Sequence, residues 1–214
     1  MNSSLFEIGM AAPEVVCGIV KANLEISSIY LRIYTSTKAL EEEPIRQIRI
    51  SVTRMIHHGN PDLEERIILN REEITPKNLN IIADALSERR ALSVCSIVKC
   101  SDRAEIFHIP MMDFRCEASP ENLEKIKEFL TIIGQRGIIL ASGRSYHFYG
   151  VELLSEKNWL NFLGKCLLFI DPKDPNYIYT DPRYIGHRLM DGYAMLRISK
   201  EPKRPFLPSV VSII

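Results

Sequence analysis

Three short segments carry side chains whose types and spacing suit phosphate chemistry. The first is Ile109-Pro110-Met111-Met112-Asp113-Phe114-Arg115-Cys116-Glu117, an apolar run ending in a carboxylate. Alternate side chains of a strand share a face, so Asp113, Arg115 and Glu117 can point the same way. The Arg115 guanidinium matches phosphate oxygens in shape and charge. The second is Ala141-Ser142-Gly143-Arg144-Ser145-Tyr146-His147-Phe148-Tyr149-Gly150, where Ser145 and His147 are again two apart. A glycine there lets backbone approach a ligand closely, and exposed N–H groups of such a turn can bind phosphate. The third begins Thr180-Asp181-Pro182-Arg183-Tyr184-Ile185-Gly186-His187-Arg188 and continues to Arg197.

These residues need elements to hold them. Ile26 to Tyr34 alternates and is rich in β-branched residues, which predicts a strand. Glu41–Glu43 before Pro44 suit a helix start. Ile45, Ile48, Val52 and Ile56 follow at helical spacing, and Gly59-Asn60-Pro61 ends the pattern. A second helix follows Thr75-Pro76 through Leu79, Ile82 and Leu86. Leu92 to Lys99 and Glu105 to Asp113 read as a hairpin turning through Cys100 to Arg103. Ser119-Pro120-Glu121 opens a helix with Leu123, Ile126, Phe129, Leu130 and Ile133 on its apolar face. Ile138 to Ser142 and Tyr146 to Tyr149 read as strands about Gly143. Ser155 caps a helix bearing Trp159, Phe162, Leu163 and Cys166. A proline-broken loop, a last strand at Ala194 to Ser199 and an extended tail from Pro202 to Pro208 complete the chain. The expectation is an α+β fold, a sheet with helices packed on it. Residues 1–90 form an N-terminal α/β segment on a core of residues 91–214, in one compact domain overall.

Composition narrows the function classes. With 46% hydrophobic and 25% charged residues among 214, a disordered chain is excluded. The 27 basic and 27 acidic residues cancel, which argues against a protein that coats nucleic acid by charge alone. The cancellation is uneven. Residues 1–135 carry 16 basic and 20 acidic residues, and residues 136–214 carry 11 and 7. A local phosphate-binding face, with weak and salt-sensitive nucleic-acid binding, is therefore compatible with the neutral total. Five cysteines without a C-x-x-C pair read as free thiols of a reducing cytoplasm. No signal peptide is seen, and no apolar run approaches the roughly 20 residues that span a bilayer.

In this order the three segments resemble the archaeo-eukaryotic primase superfamily. The family carries D-h-D at the end of a hairpin strand, S-x-H on a later strand and a further Asp before the final strands. Here Asp113 matches the first Asp, Ser145-Tyr146-His147 matches S-x-H, and Asp181 best matches the late Asp. The run D-x-R-Y-I-G-H-x-L followed by L-R is similar to a primase 1D-like subfamily that keeps a single Asp in the first motif. The resemblance covers residues 91–200. It implies a primase-type core of RRM-like hairpin and helix units with a mixed or antiparallel sheet. It implies Asp113, Asp181 and His147 as catalytic residues, with Asp113 and Asp181 as ligands of Mg²⁺ or Mn²⁺. Ser145 and His147 would contact nucleotide phosphates, and Arg197 would line the same sheet face. Arg144, Arg183 and Arg188 would add to the positive field, with His187 and Arg115 as further phosphate contacts. Nucleoside triphosphate and nucleic acid are the implied ligands, and DNA replication or a conflict system is the implied setting. The chain has no P-loop and no zinc-binding cysteine set, so a helicase or other partner would supply those functions.

Arg115 stands where the superfamily has its second Asp. A two-metal site needs carboxylates for both cations, and a guanidinium repels them. Glu117, two residues further along the same face, is the candidate replacement ligand. Three readings follow. One is a metal-dependent primase-polymerase nucleotidyltransferase. Another is a catalytically degenerate nucleotide- or nucleic-acid-binding module. The third is a metal-dependent phosphoesterase using Asp113, His147, Asp181 and His187. Asp171 rivals Asp181 as the third carboxylate. His108 reads as pairing or packing on its hairpin, Trp159 as core, and His57-His58 as a helix end.

Overall fold

The computed structural model describes residues 5–35, 65–87, 90–101, 103–201 and 204–214. The helix expected after Pro44, with Glu41–Glu43 and His57-His58, lies outside the described residues. The fold is α+β, and every strand pairing among the described residues is antiparallel. Helix α1 (Ala12–Ala22) leads into β1 (Ile26–Thr35), and β2 (Glu65–Asn70) follows. Thr75 caps α2 (Pro76–Asp84) by accepting the Asn78 N–H at 3.1 Å. Leu86 falls just beyond that helix. Strand β3 (Arg90–Cys100) then lies against the whole length of β1.

The expected strand Glu105–Asp113 is two strands in two sheets. Strand β4 (Phe107–His108) pairs with β3, and β5 (Met111–Asp113) joins a different sheet. Pro110 makes the division. It has no N–H to give a ladder, and its carbonyl accepts instead from Gly150 N–H at 2.7 Å. Gly150 has to be glycine for this approach, because a Cβ there would meet the Pro110 ring at 2.6 Å.

Ser119 caps α3 (Pro120–Ile132), accepting the Asn122 N–H at 3.2 Å, and Gly134 at φ +75° ends the following turn. Strands β6 (Gly137–Ala141) and β7 (Tyr146–Gly150) form a hairpin. A short β8 (Leu154–Ser155) pairs with β4 and runs straight into α4 (Glu156–Leu167). The proline-broken loop expected next is structured. It holds the ribbon β9 (Ile170–Asp171) and β10 (Asp174–Ile178), then α5 (Pro182–Asp191). Strand β11 (Met195–Arg197) pairs with the first half of β3. It is not the last strand, because β12 (Ser209–Ile213) follows the tail and pairs with β6.

The larger sheet has the order β2-β1-β3-β4-β8, with β11 also on β3. The second runs β12-β6-β7-β5. One apolar core joins them. Val16 and Ile19 of α1, Leu79 of α2, Ile126 and Leu130 of α3, Trp159 and Phe162 of α4 and Ile185 of α5 all reach it. Each such side chain, fully buried, stabilises the fold by about 1.5–3 kcal/mol. All five cysteines are buried, and none is in a disulfide. Among the described residues no helix is long and apolar enough to cross a membrane.

Candidate functional site

The site begins at the end of β5. Antiparallel register sets Asp113 directly opposite His147 on β7, so their side chains share a face. His147 Nε2 lies 3.6 Å from Asp113 Oδ1. The imidazole is 2% exposed, whereas the Asp113 side chain is 38% exposed. Burial pushes the Asp113 carboxyl up to about 7. Arg204 leads the charges that oppose the rise, Asp181 adds to it, and Arg197 and Arg188 oppose it again. Burial holds His147 well below the ordinary imidazole value, and Arg197 and Arg204 push it further down. A neutral imidazole therefore faces a carboxyl that changes charge near neutrality.

Arg197 comes from the other sheet. Its Nη2 donates to the Ser142 carbonyl at 3.1 Å, and its Nη1 donates to Phe206 at 3.2 Å and to Ser199. These bonds hold β11, the β6–β7 turn and the tail together. Gly143 in that turn sits at φ +124°, where a side chain would be strained, and a Cβ would press on the Phe206 ring at 3.3 Å. The tail folds back as Glu201 and Arg204 bridge each other's backbones. Arg204 Nε then lies 3.6 Å from Glu201 Oε1, which is 4.0 Å from Arg197 Nε.

The residues expected at a site divide into two groups. Asp113, His147, Arg197 and the charge of Asp181 come together. Asp181 is also the N-cap of α5, accepting the Arg183 N–H at 2.9 Å. Its position follows from Thr180 bridging Phe114 and from the Arg115 N–H donating to Tyr179 at 2.9 Å. Ser145 points at the loop after β5, where its hydroxyl donates to the Phe114 carbonyl at 2.6 Å. The turn N–H expected to be open for phosphate is partly used, since Ser142 donates to the Ser145 carbonyl at 2.9 Å. Arg144 and Arg183 are exposed, and His187 is buried on α5.

Arg115 and Glu117 are exposed and gather round Tyr177 of β10. The Arg115 guanidinium lies 5.8 Å from the Tyr177 ring centre, and the Glu117 charge acts on that phenol. The alternation predicted for 113, 115 and 117 does appear in burial, with Phe114 and Cys116 in the core. Asp171, the rival carboxylate, accepts from the Tyr179 hydroxyl at 2.6 Å. Arg204, Glu201, Tyr149 and Tyr184 were not anticipated. Tyr149 had a signal, because it is two residues past His147 on the same strand face. Arg204 and Glu201 had none, because only the folded tail brings them here.

A family model for archaeo-eukaryotic primase 1D-like proteins matches residues 70–206. That span is well over half the chain and contains Asp113, His147, Asp181, Arg197 and Arg204. The chain belongs to the archaeo-eukaryotic primase 1D-like family. Membership extends on both sides of the 91–200 stretch that carried the motifs. No curated protein and no solved structure matches it.

Primases of the wider superfamily are expected to use divalent cations, so the donors of this 1D-like chain can be tested for fit. Among the described residues no three His, Cys, Asp or Glu side chains converge on a metal position. The second acid is replaced by Arg115, which stands over Tyr177. The Glu117 charge acts on the same phenol. Asp113 is under the influence of Arg204, Arg197 and Arg188, all of which would repel a cation bound to it. The residues present do not fit a two-metal centre.

Proposed function

We propose that this primase 1D-like chain is a nucleoside-triphosphate-binding domain that has kept the primase nucleotide cleft without its two-metal catalytic set. The observation that carries the reading is the in-register Asp113–His147 pair, 3.6 Å apart, with the half-buried Asp113 carboxyl in the field of arginines from α5, β11 and the tail. A neutral His147 can give a hydrogen bond to a phosphate oxygen or take one from a hydroxyl, and guanidinium groups suit phosphate. The test is equilibrium binding of the four ribo- and four deoxyribonucleoside triphosphates, paired with incorporation of labelled nucleotide on primed and unprimed templates with Mg²⁺ or Mn²⁺. Binding without incorporation is the expected result. Absence of binding by all eight would sink the reading.

A second reading is an active nucleotidyltransferase. It is favoured by one observation, the action of the Asp181 charge on the Asp113 carboxyl. Template-directed incorporation that disappears in Asp113→Asn would establish it. Nucleic acid is a proposed partner under either reading. Binding to a single strand would be weak and would fall steeply with salt, as contacts made by a few exposed arginines do.

A further inference from the structure

Six buried polar atoms without a hydrogen-bond partner belong to four side chains that pair with Asp113 or share its electrostatic field. They are Nδ1 of His147, Oη of Tyr149, Nε of Arg197, and Nε, Nη1 and Nη2 of Arg188. Asp113 is linked to each of these side chains. His147 is its cross-strand partner, and its charge acts on Tyr149 and is acted on by Arg188 and Arg197. Arg188 is 1% exposed. It reaches Asp191 as an ion pair, Nη2 to Oδ2 at 3.1 Å, and lies 5.3 Å from the Tyr184 ring centre, yet it makes no directed hydrogen bond.

Buried polar groups are nearly always satisfied, so a concentration of orphans marks a place where something else supplies partners. Five of these six atoms can donate, and His147 Nδ1 donates or accepts according to its tautomer. The four guanidinium nitrogens can only donate, and the Tyr149 hydroxyl has a proton to give. A ligand that completes them must bring several acceptor oxygens and negative charge. A divalent cation brings neither. Arg204 adds a reachable cation at the rim, since its side chain is 39% exposed and its charge is the foremost of those opposing the rise in Asp113.

We propose that the phosphates of the bound nucleotide are taken directly by Arg204, Arg197 and Arg188, so that binding in this chain needs no divalent cation. The proposal rests on the nucleotide-binding reading above. It assigns to three guanidinium groups, from the tail, β11 and α5, the charge neutralisation that metal ions supply in a two-metal site. It also gives the orphaned donors a reason to be kept. Leaving a buried guanidinium without acceptors is costly unless a ligand repays it.

The experiment is calorimetric titration of the full chain with each nucleoside triphosphate, once in EDTA and once in excess Mg²⁺ or Mn²⁺. Affinity in EDTA is expected within about threefold of that with metal. Arg204→Gln and Arg188→Gln are each expected to weaken binding in EDTA by roughly tenfold or more, as loss of a charge-assisted contact does. Arg136→Gln is the control, because Arg136 pairs with Glu152 at the opposite end of the β6–β7 hairpin and is exposed. Its binding should be unchanged. Thermal unfolding of each variant separates lost contacts from lost fold. The proposal is overturned if binding appears only with metal, in which case the nucleotide reading survives. It is equally overturned if both arginine variants bind as tightly as the parent. No binding in either buffer would remove the nucleotide reading itself, and this inference with it.

Discussion

Arg188 is the residue where stability and function part company. A guanidinium that is 1% exposed, with one ion pair and no directed hydrogen bond, does not stabilise a fold well. Replacing a buried ion pair by apolar side chains is often neutral or stabilising, by about 1–4 kcal/mol, and the partner that Arg188 would leave behind, Asp191, is 38% exposed and open to water. Arg188→Met should therefore keep or raise the stability measured by urea unfolding, while nucleotide binding falls. A loss of stability of similar size would mean that Arg188 is instead a structural strut. Arg197 is the contrast. Its Nη atoms are already bonded to the Ser142, Ser199 and Phe206 carbonyls, so its removal should unlock the β6–β7 turn and the tail together.

At the scale of elements, α5 does most to shape the site. It presents His187 and Arg188 and begins at Asp181, whose carboxylate caps it through the Arg183 N–H. The cap also explains why an aspartate followed by proline suits this position: the acid satisfies an orphan N–H, and Pro182 fits the first turn. Asp181→Ala should cost about 1 kcal/mol of stability, and Asp181→Ser should recover most of it, because serine caps nearly as well. Chemical denaturation of the two variants checks this. Equal losses in both would show that the charge of Asp181, and not its capping bond, stabilises the fold. The same paired signals, Thr75-Pro76 and Ser119-Pro120, were read as helix starts. Thr180-Asp181-Pro182 is that signal a third time, and reading it as loop missed α5.

Across the whole molecule, buried histidines couple the fold to pH, His147 at the site and His108 in the large sheet. His108 on β4 is fully buried and stacks on Trp159 of α4 with ring centres 4.3 Å apart. Ser96 Oγ accepts the Ala194 N–H at 2.8 Å and shares a hydrogen bond with His108 Nδ1 at 3.0 Å. Three elements of the large sheet, β3, β4 and the approach to β11, thus meet on a neutral ring. Burial holds the His108 pKa down to about 4, against 6.5 for the free side chain. The unfolded chain therefore binds the proton more readily. The contribution is complete above about pH 6.5 and is lost as pH falls toward 4, at up to roughly 1.4 kcal/mol per pH unit. Denaturation between pH 7 and 4.5 should show the decline, and His108→Gln should flatten it. An unchanged slope in the variant would assign the acid sensitivity elsewhere.

The α+β class and the helices at Pro76, Pro120 and Glu156 were legible in local pattern: apolar periodicity, capping residues and the two-residue repeat of a strand. The roles of Asp113, Ser145 and His147 came from the family resemblance. It also announced the missing second acid at Arg115. Only the tertiary structure decided that Pro110 sends β5 into a second sheet, and that β5 then sets Asp113 against His147. It alone brought Arg204 and Glu201 back from the tail and buried Arg188 with a single ion pair to Asp191. Register between distant strands and the path of a tail depend on contacts between residues far apart in the chain, and local pattern holds no record of them.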